Sequence, residues 1–318
     1  MVVVTKTARK SSVLSNSSLT CLANIPSVNL TSGCAHNCVY CYARGYTIYP
    51  GDDKVVIYEN TLEKLKSELL RKRAKPQVVY FSPSSDIFQP VPEVLELSHL
   101  VLEFLLTKGI GVAFVTKGQI PERTLKLLLN HAEQVRAQIG LVTHDVNTRR
   151  LFEPNAATVE LRLNQMAMMV EGGIAVEARI IPILPGITDS TGSINALLHA
   201  VASSGVKRAA ISTLFLRPTI IGSLRRHISD QDLLEKIFIF YRQARRLPVH
   251  AEHSSVIPLT RQKREEIYSC FRQIAEHYAI ELSICGCMNP DIGGTCNIIG
   301  QWPAQNQQPD LFAALGEL

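Results

Sequence analysis

Six of the eight cysteines in this 318-residue chain lie in two short segments, one near each end. The first segment holds Cys34, Cys38 and Cys41, and the second holds Cys285, Cys287 and Cys296. A disulfide framework is typical of small secreted domains, and a chain of this length is not one. In a reducing compartment, thiols clustered at such short spacing predict metal or iron–sulfur centres.

The composition is that of a globular protein, with 46% hydrophobic and 19% charged residues. Disorder as the main state is excluded, because the chain has enough apolar surface to offset the ordering entropy. A formal net charge of +5 permits an anionic partner but is low for a dedicated nucleic-acid binder. No membrane span and no signal-peptide core can be recognised. The sequence therefore predicts a soluble, cytoplasmic protein.

Short β-branched runs alternate with amphipathic helical patterns over most of the chain. Strands are predicted at residues 27–30, 77–81, 112–116, 137–143, 175–183 and 208–214. Helices are predicted at residues 62–73, 93–107, 121–131, 159–171 and 194–203. Strands separated by such helices pair in parallel through right-handed crossovers. No strand is followed by Gly-x-Gly-x-x-Gly, so the pattern predicts an α/β fold with a barrel-like sheet rather than a dinucleotide-binding fold.

The character of the sequence changes near residue 225, where we place a soft domain boundary. Residues 1–25 are rich in Ser and Thr and form an N-terminal extension, and residues 26–225 carry the barrel. Residues 226–318 form a C-terminal helical extension that bears the second cysteine segment. Helices are predicted there at 230–245 and 261–279, with a weak strand at 280–284.

The first cysteine segment follows directly on the first predicted strand. Three residues separate Cys34 from Cys38, and two separate Cys38 from Cys41. This spacing lets one loop present three thiolates to three irons of a cubane, which leaves the fourth iron open to bind a small molecule. A zinc site is the less favoured alternative, because zinc normally takes four ligands.

This segment, with Tyr40 just before its last cysteine, resembles the cysteine loop of the radical S-adenosylmethionine superfamily. Further segments resemble the spore photoproduct lyase-like subgroup, also called DNA repair photolyase-like. They lie at residues 82–90, 115–118, 153–154, 162–163 and 181–186, within a similarity that covers roughly residues 26–218.

The resemblance implies a partial (βα)6 barrel, that is, a partial TIM barrel. It implies a [4Fe–4S] cluster on Cys34, Cys38 and Cys41, and reductive cleavage of S-adenosylmethionine to methionine and a 5′-deoxyadenosyl radical. That radical would abstract hydrogen from a substrate. An electron donor such as flavodoxin or ferredoxin is implied as a partner.

Seven residues are candidates for contact with S-adenosylmethionine: Tyr40, Ser84, Asp86, Thr116, Lys117, His144 and Arg179. The superfamily pattern implies that Tyr40 places backbone groups against the adenine. Lys117 is a candidate partner of the cofactor carboxylate, and Arg179 competes because a guanidinium grips a carboxylate in a bidentate manner. The alternatives are structural ion pairs, a helix cap or turn at Ser84 and Asp86, and a structural histidine at 144.

The substrate follows less directly from the sequence. The subgroup resemblance implies a cysteine hydrogen donor near the end of the fourth strand, and residues 140–145 contain no cysteine. We therefore favour a small metabolite or natural-product intermediate over a DNA lesion, with nucleic acid as the alternative partner. A non-catalytic zinc-binding or nucleic-acid-binding protein is a second alternative.

The second cysteine segment has two cysteines separated by one glycine, then a third after a Pro- and Gly-rich loop. It predicts an auxiliary iron–sulfur cluster on Cys285, Cys287 and Cys296. The alternatives are free thiols, or a structural zinc whose fourth ligand comes from the set Cys270, His253 and His277. Cys21 and Cys270 are interpreted as small buried hydrophobic residues.

Overall fold

The computed structural model describes residues 2–17, 20–22, 25–249 and 254–294. The strands are β1 Val3–Thr7, β2 Ser27–Val28, β3 Thr31–Ser32, β4 Lys54–Tyr58, β5 Val78–Phe81, β6 Gly111–Thr116, β7 Val135–Gly140, β8 Ala175–Ile183, β9 Arg208–Thr213, β10 Leu247–Val249, β11 Ser254–Val256 and β12 Glu281–Ile284. The helices are α1 Thr61–Arg71, α2 Pro92–Thr107, α3 Glu122–Asn130, α4 Val146–Phe152, α5 Val159–Glu171, α6 Thr191–Ser203, α7 Pro218–His227, α8 Gln231–Phe238 and α9 Arg261–His277.

A seven-stranded parallel sheet organises the fold, in the order β12-β9-β8-β7-β6-β5-β2. From β5 to β9 neighbouring strands follow one another along the chain and are connected by helices, while β2 and β12 flank them at the two edges. The predicted α/β fold with a barrel-like parallel sheet is confirmed. The weak strand predicted at residues 280–284 is also present, and it joins the sheet as its seventh strand beside β9.

Local sequence signals explain why the central elements begin and end where they do. Helix α5 starts after Thr158, whose hydroxyl accepts a hydrogen bond from the Leu161 N–H, and it ends before Gly172. Strand β8 is mostly apolar and largely buried, as expected for a strand in a covered parallel sheet. Both elements have the bounds that the sequence predicts.

The two faces of the sheet bury different sets of side chains. Alternate residues such as Val79 and Phe81 pack with the helices in the main hydrophobic core. Their neighbours Val78 and Tyr80 point the other way and pack with Ala113 in a smaller apolar cluster. We call this cluster the inner apolar cluster; it also contains Leu22, Ile25, Ala210 and Cys285, with Cys21 and Cys287 packed against it.

A second, three-stranded sheet has the order β1-β4-β3, with β1 parallel and β3 antiparallel to β4. Strand β1 lies within residues 1–25, for which the sequence predicts an N-terminal extension. The sequence analysis predicted no strand at β1 or at β4. Because β3 ends at Ser32, this small sheet fixes the point at which the first cysteine segment begins.

The C-terminal third adds helices α8 and α9 and the antiparallel pair β10–β11. The helix predicted at residues 230–245 ends earlier, because Gln231–Phe238 is followed by a single 3-10 turn at Ile239–Tyr241. Among the described residues, no helix combines the length and the apolar character that a membrane span requires.

Candidate functional site

The first cysteine segment forms a loop that starts immediately after β3. Cys34, Cys38 and Cys41 are free thiols and are all partly exposed on this loop. The chain turns at Gly33 and Asn37, which have φ angles of +80° and +52°. The loop ends in the short 3-10 helix Tyr42–Gly45. One continuous segment therefore carries all three thiols.

Residues from remote segments hold the backbone of this loop. The Ala35 N–H donates to Gln89 Oε1 at 2.8 Å, and the Ala35 carbonyl accepts from Asn155 Nδ2 at 2.9 Å. The Val39 N–H donates to the Phe152 carbonyl at 2.9 Å. These hydrogen bonds hold the backbone of the loop. They therefore fix the positions from which the three thiols project.

A buried pair, His36 and Asp86, connects the loop to the ends of β5 and β6. His36 Nε2 lies 3.0 Å from Asp86 Oδ2. The same carboxylate accepts from Thr116 Oγ1 at 2.8 Å, from the Lys117 N–H at 2.8 Å and from the Phe88 N–H at 2.8 Å. Burial opposes ionisation of Asp86, but the charge of His36 and these hydrogen bonds outweigh it and hold its pKa below the ordinary value.

A second buried network lies under Tyr40. The Tyr40 hydroxyl donates a hydrogen bond to Glu153 Oε1, and Arg162 Nη1 lies 2.8 Å from Glu153 Oε2. Lys117 Nζ lies 3.8 Å from Glu153 Oε1 and 5.8 Å from the centre of the Tyr40 ring. Arg162 also donates to the Gly140 carbonyl at 2.6 Å. Although burial opposes it, the cations of Arg162 and Lys117 hold the pKa of Glu153 below its ordinary value.

The donor set of the loop fits an iron–sulfur cluster. Cysteine thiolates are the usual protein ligands of iron–sulfur clusters, and this loop carries three partly exposed cysteines. Within the described ranges, no three His, Cys, Asp or Glu side chains converge closely enough to hold a single metal ion. Thiolates that bind three different irons of a cubane stand further apart than the ligands of one ion.

The segment after β5 supplies polar atoms beside this loop. Ser84 donates to Asn29 Oδ1 through both its N–H, at 3.2 Å, and its hydroxyl, at 2.8 Å. The hydroxyl oxygens of Ser82 and Ser85 are buried and hydrogen-bond to no residue that the structure describes. A buried hydroxyl without a partner is costly, so a polar ligand at this place would be stabilised.

The other sequence candidates lie further along the sheet. His144 is exposed in the loop after β7, next to Asp145, which caps α4. Arg179 lies on β8, directly opposite Gly140 of β7, and donates to Gln138 Oε1 at 3.4 Å. Asp86, Thr116 and Lys117 are thus brought together with the cysteine loop, whereas His144 is not.

The second cysteine segment follows β12. Cys285 is buried, and Cys287 is partly exposed. Cys296 and His253 lie outside the described residues. Cys270 lies on α9, where its Sγ is 3.9 Å from Thr191 Oγ1, and His277 packs its ring on Tyr278. The cysteine that does meet this segment is Cys21, whose Sγ is 3.2 Å from Cys287 Sγ.

Sequence reasoning missed the supporting residues of the site. His36, Asn155 and the Glu153–Arg162 pair received no role, although residues 153–154 and 162–163 belong to segments that carry the family resemblance. A glutamate and an arginine in otherwise apolar surroundings were the available signal, because charged residues are buried only when paired.

We expect Gly33→Ala to reduce the iron that the purified protein retains. A Cβ at this position would lie 2.2 Å from the Lys54 carbonyl oxygen, and the φ of +80° adds roughly 1–3 kcal/mol of backbone strain. Iron per chain after anaerobic purification measures the effect. Gly109→Ala is the matched control, since Gly109 has a φ of +70° with nothing within 4 Å of the added Cβ. Equal iron in both variants would contradict the expectation.

Comparisons with known proteins agree with this geometry. The model of the radical SAM superfamily matches residues 28–195, more than half of the chain. An uncharacterized protein of Mycobacterium tuberculosis is 28% identical over 204 residues, which cover 61% of this chain. The chain spans only 60% of the length of that relative. A "Radical SAM Nalpha-GlyT isomerase" of Pseudomonas phage M6 is 24% identical over 155 residues, which cover 48% of this chain and 32% of the phage protein.

Among solved structures, a spore photoproduct lyase variant with bound AdoMet and dinucleoside spore photoproduct has a similar fold. Its TM-score is 0.67 at 13% identity, over 88% of this chain and 81% of the lyase. The superfamily match includes the cysteine loop and the strands β5 to β8 that surround it. Because the superfamily model matches more than half of the sequence, the conclusion is that this chain belongs to the radical SAM superfamily.

Proposed function

We propose that this enzyme binds a [4Fe–4S] cluster through Cys34, Cys38 and Cys41 and uses it to cleave S-adenosylmethionine reductively. When bound, the cluster supplies the electron that converts the cofactor to methionine and a 5′-deoxyadenosyl radical. The observation that carries the proposal is the position of three partly exposed thiols on one loop whose backbone is held by remote residues. A flavodoxin or ferredoxin would deliver the electron, and a reducing compartment such as the cytoplasm suits these thiols.

The neighbouring residues would bind and orient the cofactor. Lys117 is the favoured partner for the cofactor carboxylate, because its side chain is 16% exposed and its 3.8 Å contact with Glu153 leaves its ammonium free to donate. Arg179 remains the competing candidate for the cofactor carboxylate. The exposed His144 is a further candidate for contact with the cofactor. Ser84 would contact the cofactor beside the buried hydroxyl of Ser85.

Three further candidates would mainly hold the cysteine loop in place: Asp86, Thr116 and Tyr40. Asp86 is surrounded by donors from the protein, and its bond to His36 holds the cysteine loop. Thr116 is bound to Asp86. Tyr40 would place backbone groups against the adenine while its hydroxyl is anchored on Glu153. The network would thereby keep the loop in one conformation when the cofactor binds.

A small metabolite or natural-product intermediate is the substrate class that we favour. The loop after β7 contains no thiol to return a hydrogen atom to a DNA lesion. Two of the basic side chains are used within the fold: Arg149 is buried and donates to the Glu153 and Ala156 carbonyls, and Arg226 lies 3.1 Å from Asp52. Arg149 is therefore not available to contact phosphates.

A nucleic-acid substrate is the second candidate. The similar spore photoproduct lyase structure carries a dinucleoside spore photoproduct, and the phage relative is named a GlyT isomerase. These neighbours support the candidate, although each shares less than a quarter of its residues with this chain in the matched region.

Anaerobic incubation with S-adenosylmethionine and dithionite tests the proposed activity. We expect 5′-deoxyadenosine to form slowly without substrate and faster when the right substrate class is added. Parallel reactions with a low-molecular-weight cell extract and with ultraviolet-irradiated DNA separate the two candidates. Absence of 5′-deoxyadenosine from iron-replete protein would contradict the proposed activity.

We also propose that Cys285, Cys287 and Cys296 hold a second [4Fe–4S] cluster. A variant in which Cys34, Cys38 and Cys41 are all alanine should then retain about four irons per chain, the content of one cubane. Iron and sulfide analysis with an absorption spectrum measures this. A further variant that also lacks Cys285, Cys287 and Cys296 should be colourless. Correctly folded, iron-free protein from the first variant would contradict the second cluster.

A further inference from the structure

We propose that Cys21 is a ligand of the metal centre formed at the C-terminal cysteine segment, together with Cys287. This inference rests on the proposed second centre, but it does not depend on that centre being a [4Fe–4S] cluster. Cys21 would bring a ligand from the N-terminal extension, 266 residues away along the chain from Cys287.

The contact between the two sulfurs carries the inference. Cys287 Sγ lies 3.2 Å from Cys21 Sγ, well beyond the ~2.05 Å length of a disulfide bond. Thiolate–zinc bonds are ~2.3 Å long, and a tetrahedral ion holds its sulfurs ~3.8 Å apart, so a single ion can bind both thiols after they separate by about 0.6 Å. Soft thiolate ligands select zinc or iron–sulfur centres.

Buried hydrogen bonds from helix α9 hold the loop that carries Cys287. The buried Arg264 of α9 donates to Asn289 Oδ1 at 2.9 Å, and Tyr268 donates to the same oxygen at 2.9 Å. Asn289 Nδ2 in turn donates to the Cys285 carbonyl at 2.9 Å. These buried bonds fix the backbone between Cys285 and Asn289. Cys287 is therefore presented to Cys21 by a rigid support, as metal ligands require.

The backbone of the same loop also folds tightly on itself. A Cβ on Gly286 would lie 2.1 Å from the Gly294 carbonyl oxygen, and Gly294 itself has a φ of +121°. Glycine at both positions permits this approach, because neither a side chain nor an ordinary φ would fit. The thiols of Cys285 and Cys287 are thereby kept within one compact turn.

The position of Cys21 and Cys287 relative to the sheet indicates what a metal bound to them would do. Cys285 follows β12, which is one end of the strand order, and Cys21 precedes β2, which is the other end. Both cysteines pack in the inner apolar cluster with Leu22 and Tyr80. A shared metal centre would therefore tie the two ends of the sheet together on its inner face, where apolar surroundings strengthen thiolate–metal attraction.

The test uses full-length protein in which Cys34, Cys38 and Cys41 are alanine, so that only the second centre contributes metal. Into this parent we introduce either Cys21→Ser or Cys270→Ser and measure iron, zinc and sulfide per chain with absorption spectra. We expect Cys21→Ser to lose most of the metal or to shift the spectrum. Cys270→Ser is the matched control and should behave as the parent does, because Cys270 packs against Thr191 on α9.

A second measurement needs no substitution at Cys21. Iodoacetamide labelling of the parent, followed by mass spectrometry, is compared before and after chelator treatment. We expect Cys21 and Cys287 to become reactive together when the metal is removed, while labelling of Cys270 stays constant. This readout supports or overturns the inference even if Cys21→Ser fails to fold.

The outcomes separate this inference from the second cluster. Iron and sulfide that are lost with Cys21→Ser support both proposals. Zinc that is lost with Cys21→Ser supports the role of Cys21 and overturns the [4Fe–4S] assignment. Iron retained with an unchanged spectrum overturns the role of Cys21 alone. A parent that holds neither metal, or a Cys21–Cys287 disulfide in anaerobically purified protein, overturns both.

Discussion

Alanine at Cys34, Cys38 or Cys41 is expected to abolish 5′-deoxyadenosine formation from S-adenosylmethionine. Each thiolate would bind a different iron, so the loss of one leaves a cluster without a complete set of anchors and without one defined open iron. The three thiols lie on a single loop, and among the described cysteines none other belongs to that loop. Chromatographic detection of 5′-deoxyadenosine after anaerobic incubation with dithionite measures the effect.

Cys270→Ala provides the comparison for these three variants. Cys270 is partly exposed on α9 and packs against the main core rather than on the cysteine loop. Its replacement should leave 5′-deoxyadenosine formation at the level of the unmodified enzyme. Cleavage at that same level in any of the Cys34, Cys38 or Cys41 variants would show that the loop does not hold the catalytic cluster.

Glu153→Ala is expected to lower the free energy of unfolding by about 3–5 kcal/mol, because it leaves the buried Arg162 cation without its carboxylate partner. The Glu153 and Arg162 side chains are both 0% exposed and are 2.8 Å apart. Removing the carboxylate leaves Arg162 charged in the core and takes away the acceptor of the Tyr40 hydroxyl. Anaerobic urea denaturation, followed by circular dichroism, measures the change.

Two comparisons identify the cause of that loss. Replacing both partners, as Glu153→Gln with Arg162→Met, should cost less than Glu153→Ala, since the fully buried charge of Arg162 is removed as well. Glu122→Ala breaks an exposed pair with Lys126, 2.6 Å long, and should leave the free energy of unfolding almost unchanged. If Glu153→Ala proved no more costly than Glu122→Ala, the buried network would not stabilise the fold.

Much of the sheet follows from local sequence because its strands are apolar runs bounded by turns. Strand β8 and helix α5 have their predicted bounds, and β12 lies where a weak strand was predicted. Strand β1 was missed because most of its side chains are exposed, so that neither alternation nor a continuous apolar run marks it. Its stability comes from pairing with β4, about fifty residues away, which no local pattern encodes.

The residues of the candidate site also fall into two groups: those that a local sequence pattern identifies, and those that only the fold brings together. The spacing of Cys34, Cys38 and Cys41 is a local pattern, so sequence alone identifies these residues. The contact of Tyr40 with Glu153 joins residues 113 positions apart, and that of Cys21 with Cys287 spans 266 positions. Such contacts depend on how the sheet curves and which strands end it. Cys21 was therefore interpreted as an ordinary buried residue.

The seventh strand bears on how this protein can be shortened. Strand β9 is buried along almost its whole length, and β12 satisfies its outer backbone groups. A chain ending near residue 225, the boundary suggested by composition, would lack β12 and leave those N–H and C=O groups open. An exposed, apolar strand of this kind pairs readily with another copy and aggregates. The C-terminal third thus covers a strand edge that would otherwise be open to pairing with another copy, apart from any metal that it binds.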